Sequence, residues 1–179
     1  MTLTAPIESV VVLSRALDQT GDVLALIHED QLFDPTSCAE WDVGRLIAHV
    51  VAMPGNFIAL ASGDQVDWSA EPEPVTVGWT GDFRSAADDL IHFWHQAGDG
   101  ADPQQVDWQT AELAVHTWDL ARASGHSPHL DPEVAERGLT FMSSALTPEN
   151  RGQAFGPPVQ VPDDAPIYDR LAAFAGRHP

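Results

Sequence analysis

The sequence predicts an all-α fold, and three observations carry that prediction. Apolar residues recur at helical spacing through several long stretches. Segments dense in proline and glycine separate those stretches. One of them opens on an aspartate, Asp42, placed to cap a helix. The chain has 179 residues, 44% of them apolar, which is enough to build the core of one domain.

The first helix is expected from Pro6 to about Glu29, with Ile7, Val10, Val11, Leu17, Val23, Leu24 and Ile27 on its apolar positions. Thr20-Gly21 is a weak point in its middle, and "FDPTS" ends it. The second helix starts after Asp42, with Trp41 placed to staple onto Leu46. It carries Val43, Leu46, Ile47, Val50 and Val51 and continues past Pro54 towards Ala61 with a bend. Residues 63–80 read as a loop with a short extended piece at "PVTVGW". A third helix covers about Asp82 to Ala97, with Phe83, Ala86, Leu90, Phe93 and Trp94 inward. The fourth runs from about Pro103 to Ser124, carries Val106, Leu113, Val115, Trp118 and Leu120, and stops at Gly125. A fifth spans about Asp131 to Leu146, an extended segment follows from Thr147 to Asp164, and a short helix covers about Ala165 to Gly176. The arrangement is a single domain over residues 1–179: a helical bundle over about 6–125 and a smaller helical extension over about 126–179.

Charge excludes several function classes. Twenty-seven acids stand against eight arginines, with no lysine, for a formal charge of −19. Such a surface repels phosphate backbones and anionic membranes, so neither nucleic acid nor a membrane surface is an expected partner. The longest apolar stretch, around Leu46 to Met53, is interrupted by His49 and followed by Pro54, and no segment reads as a membrane span. The N-terminal stretch lacks the basic region of a signal peptide, so the expected location is the cytoplasm. The one cysteine, Cys38, rules out an intrachain disulfide and a cysteine-based zinc finger.

The residues that stand out chemically are His49, Glu112 and His116. Glu112 and His116 are four apart on one helix and share a face. His49 sits between Ile47 and Val50 on an apolar stretch and is expected to face inward. Two imidazoles and a carboxylate can hold one divalent ion and leave a position open. Zinc is the expected metal; nickel(II) and iron(II) suit the same ligands. A buried Glu–His ion pair is the alternative. The chain has no Glu-x-x-His motif for a two-iron centre, no HEXXH motif, no glycine-rich phosphate loop and no nucleophile elbow. Asp119 is placed either to brace a ligand from behind or to pair with Arg122. Arg45, one turn before His49, is placed to attract an anionic substrate or to form a structural ion pair. Cys38 reads as a packed residue, because no histidine adjoins it in sequence. His92, His95, His126, His129 and His178 read as surface or loop residues.

Two blocks, "CAEWDVGRLIAHVV" and "AELAVHTWDLARASG", resemble the metal-binding domain of the mycothiol-dependent maleylpyruvate isomerases, within the DinB-like superfamily. The tail "FGPPVQVPDDAPIYDRLAAFAGR" looks like the ending of a short stand-alone subgroup, so the resemblance covers nearly the whole chain. It implies a four-helix bundle running up-down-down-up with a short helical C-terminal extension. It implies a mononuclear divalent-metal site on His49, Glu112 and His116. It further implies a mycothiol-type thiol cosubstrate and thiol-dependent transfer or isomerisation of a small electrophile. A non-catalytic metal- or ligand-binding helical module is the alternative, and a homodimer is left open.

Overall fold

Aspartate side chains begin three of the helices. Asp42 Oδ1 accepts from the Arg45 backbone N–H at 2.8 Å, Asp102 from Gln104 at 3.0 Å and Asp131 from Glu133 at 3.0 Å. Each satisfies a backbone donor that a helix start leaves without a partner. Proline follows Asp102 and Asp131 at the first helical position, where a missing N–H costs nothing.

The computed structural model describes residues 5–38, 41–151 and 155–179, and side chains from residue 8 onward. The expectation for the Ile7 side chain lies outside the described residues. Six α-helices occur among them: α1 (Ala5–Ala25), α2 (Val43–Ala61), α3 (Trp79–Ala97), α4 (Pro103–Ala123), α5 (Pro132–Ala145) and α6 (Ile167–Phe174). The fold is all-α. Among the described residues the only β pairing is an isolated bridge between Pro35 and Asp42.

α4 is the central helix. It packs against α1, α2, α5 and α6; α1 also packs on α3 and α5, and α2 on α3. From Gln109 to Ala121 every residue is buried except Glu112, which is half-buried. A helix enclosed on all sides must satisfy its polar groups internally. Thr117 Oγ1 lies 2.7 Å from Thr20 Oγ1, and Gln109 Oε1 accepts from the Trp94 indole at 2.9 Å. The extension shares this core: Val134, Ala135 and Leu171 are fully buried with the α1–α4 residues. The Trp118 indole on α4 donates to Asp169 on α6 at 3.0 Å.

Several sequence expectations need correction. α1 ends at Ala25, four residues before the expected Glu29. Leu26 and Ile27 turn back tightly onto Val23 and Leu24, and the Trp79 indole takes the Leu24 carbonyl at 3.0 Å. That carbonyl is satisfied from another helix, so α1 needs no further turn. Val11, expected on the apolar face, is 45% exposed. Thr20-Gly21 does not interrupt α1; Thr20 donates back to the Ala16 carbonyl, and Gly21 leaves room for Arg84, whose Cζ would stand 3.1 Å from any added Cβ. α3 begins at Trp79, not Asp82. "PVTVGW" forms no strand: the sequence there has β propensity but finds no neighbour to pair with, and Val77 is 65% exposed. α2 is long and apolar enough in composition to cross a membrane, which the expectation denied. In this fold Val43, Leu46, Ile47, Val50, Met53 and Phe57 of α2 are core residues.

Candidate metal centre

His49 reaches the site because α2 starts where Asp42 caps it. The ring is half-buried, with its centroid 4.9 Å from that of Trp41 and 4.9 Å from that of His116. Burial, reinforced by the nearby charge of His116, pushes the His49 imidazole down to about 3. It is therefore neutral at neutral pH and keeps a lone pair to offer.

α4 supplies the other side. Nε2 of His116 lies 3.7 Å from Glu112 Oε2, across one helical turn. Glu112 Oε1 accepts from the Trp108 indole at 3.2 Å, which fixes the carboxylate. Burial raises the Glu112 carboxyl, against the pull of His116 and Trp108. The opposite ring nitrogen, Nδ1, faces Asp119, whose Oδ2 lies 3.4 Å away without the alignment of a formed hydrogen bond. For His116 burial works against charge, but Asp119 and Cys38 outweigh it and raise the imidazole to about 9. Asp119 is held below the usual carboxylate range despite its burial, by His116 and Arg177.

Behind His116 lies a group drawn from three distant parts of the chain. Arg177 donates from Nε to Asp119 Oδ1 at 3.3 Å and from Nη2 to Asp119 Oδ2 at 3.0 Å. The same Nη2 lies 3.4 Å from Cys38 Sγ, and that thiol lies 3.3 Å from Asp119 Oδ2. Ligand atoms of Cys38, His116 and Asp119 all fall within 4.8 Å of one another. This trio could hold a soft cation on donor chemistry alone, but the Arg177 guanidinium already supplies positive charge there.

The front of the site is walled by aromatic rings. The Trp108 ring packs edge-on against Phe57 at 5.2 Å and against Trp68 at 5.5 Å. Trp68 belongs to the segment between α2 and α3 and is 41% exposed. Arg45 lies 5.5 Å over the Trp41 ring and reaches exposed Glu71 at 3.5 Å.

The structure thus brings His49 next to His116, and His116 next to Glu112. Asp119 pairs with Arg177 and not with Arg122, which lies over the Trp118 ring. Cys38 does have a histidine beside it, one that sequence adjacency could not reveal. Arg177 had no signal in the sequence beyond being one of eight cations in an acidic chain. His92, His95, His129 and His178 are exposed, and His126 bonds to the Leu26 carbonyl.

Fold and site together define an all-helical protein in which His116 of α4 neighbours His49 of α2 and Glu112 of its own helix, while the three-residue group whose ligand atoms all lie close together is Cys38, His116 and Asp119. Two relatives, both uncharacterized proteins of Mycobacterium tuberculosis and each from a different strain, are 34% identical to this chain over 180 residues. The match takes in 91% of this chain and 94% of each relative. The chain belongs to the same family as these mycobacterial proteins. No protein-family model and no solved structure matches it.

Proposed function

We propose that this chain is a mononuclear divalent-metal protein of DinB-like architecture that uses a mycothiol-type thiol to transfer to, or isomerise, a small electrophilic substrate. The observation that carries the reading is that His116 stands beside two further candidate ligands, with the His49 ring 4.9 Å from its own and Glu112 Oε2 3.7 Å from its Nε2. The packing of α1 on α3 and α4, and of α2 on the same two, supports a four-helix bundle.

The donor set fits a divalent ion. His49 is held neutral, Glu112 presents a carboxyl group fixed by Trp108, and His116, raised to about 9 by Asp119 and Cys38, releases a proton when a metal takes its place. His49, Glu112 and His116 would hold the ion, with zinc favoured and nickel(II) or iron(II) suited. A bound ion of this kind keeps a low-molecular-weight thiol as thiolate at neutral pH.

The remaining work falls to the chain's own side chains. Trp108, Trp68 and Phe57 offer an apolar wall against which a small electrophile can lie. His49 and Glu112 are half-buried, so each keeps part of its surface in reach of solvent. No protein nucleophile is required, since the cosubstrate carries the sulfur; Cys38 is held on the far side of His116 by Asp119 and Arg177.

Elemental analysis of protein purified without a chelator or histidine tag tests metal content, with near-unit stoichiometry expected. Cobalt substitution tests the rest. Titration of mycothiol or a simpler thiol into the cobalt protein is expected to add a thiolate charge-transfer band in the near ultraviolet. Metal binding without any thiol response would leave a metal-binding module and end the transferase reading.

A further inference from the structure

We propose that Arg177 is a positioning residue for the metal centre: it grips both groups that face Nδ1 of His116 and so turns Nε2 towards Glu112. The proposal rests on the metal-site reading above.

The path of the chain after α6 is fixed by backbone contact. Gly176 has φ +86°, and a Cβ placed on it would stand 2.6 Å from the Cα and N of Gly156. Only glycine permits that approach. Arg151, 8% exposed, ties the same region down by donating to the carbonyls of Gly156 at 2.9 Å and Phe174 at 2.7 Å. The Arg177 backbone N–H returns to the Ala172 carbonyl at 2.9 Å, and its Nη1 donates to the Ala175 carbonyl at 3.0 Å. Directed this way, the Arg177 side chain turns inward and is 6% exposed.

Burying a guanidinium and a carboxylate together is a poor way to gain stability, because both give up water. The pair is better explained by what it holds. Nδ1 of His116 is buried without an aligned partner, and the acceptors brought to it are Asp119 Oδ2 and Cys38 Sγ. One nitrogen of Arg177, Nη2, contacts both of these atoms, at 3.0 Å and 3.4 Å. With Asp119 fully buried and anchored at both oxygens, the carboxylate cannot swing away from the ring. An anionic acceptor locked against Nδ1 keeps a proton on that nitrogen, so that Nε2 is the nitrogen that gives up its proton when a metal binds. A sequence gap of 58 residues between Asp119 and Arg177 is thereby closed into one unit with the ligand.

The test is zinc affinity measured by chelator competition on the full chain. Arg177→Met is expected to weaken zinc binding by about 10–100-fold, with far-ultraviolet circular dichroism unchanged. Arg177→Lys is expected to recover part of that loss, which a merely space-filling role would not produce. Wild-type affinity in a folded Arg177→Met protein overturns the proposal while the metal reading stands. If Arg177→Met does not fold, Arg177→Lys decides: intermediate affinity supports positioning, and wild-type affinity overturns it. Absence of zinc binding in the wild type fails the metal reading first, and the proposal with it. A thiolate band in the cobalt protein without added thiol, lost in Cys38→Ser, would put the metal on the Nδ1 side and overturn the proposal too.

Discussion

The two edges of the His116 ring face opposite worlds. On the Nε2 side stands half-buried Glu112, with half-buried His49 packed against the same ring from α2. On the Nδ1 side stand fully buried Asp119 and nearly buried Arg177, with Cys38, from a helix, the C-terminal segment and a loop. The difference is between an edge whose neighbours keep some exposure and an edge whose charged neighbours are enclosed. A ligand side chain needs both, because an imidazole that is free to turn offers a metal the wrong nitrogen part of the time.

Mutations on the two sides should therefore fail in different ways. His116→Ala, which belongs to both, is expected to drop metal content from near one per chain to near zero by elemental analysis. Equal metal in wild type and variant would break the assignment of the site. Asp119→Ala removes the buried carboxylate that Arg177 and His116 both face and is expected to cost about 3–5 kcal/mol in urea unfolding. A cost near zero would show that the sealed side is wetter than its burial implies. His49→Ala should do the reverse: metal is lost, while the helical circular dichroism spectrum is kept and stability changes by only about 1 kcal/mol. A variant that still binds metal tightly would make His49 a packing residue. The smallest effect is expected at Asp42→Ala, which removes the cap of α2 for about 1 kcal/mol and keeps the metal stoichiometry. Loss of metal from that folded variant would move Asp42 from the scaffold into the site.

The same division governs what the sequence disclosed. The half-buried side was legible because its parts lie on helices. Glu112 and His116 are four apart, His49 interrupts an apolar run, and Asp42 marks where that run begins to coil. Those are local periodicities, which a helix turns directly into a shared face. The sealed side was not legible. Cys38 lies 81 residues from Asp119, and Arg177 lies 139 residues from Cys38, so nothing local relates them. In sequence Cys38 reads as a packed residue for want of a neighbouring histidine, and the fold brings it His116. The end of α1 failed for a similar reason: its stop is set by an indole 55 residues away, not by the residues that follow it. "PVTVGW" shows the converse, a local preference for strand that no neighbouring segment completes.

The hydrogen bond from the Trp108 indole to Glu112 gives the molecule an optical readout of its own. An indole excited state is sensitive to what its N–H touches, and this one touches a carboxylate expected to trade that contact for a cation. Trp68 stacked edge-on at 5.5 Å, and partly open to water, adds sensitivity to anything that enters from solvent. Loading the site should thus shift intrinsic tryptophan emission with no label attached. Trp108→Phe should silence most of the shift among the six tryptophans of the chain, so that titration in a fluorimeter follows occupancy at one carboxylate.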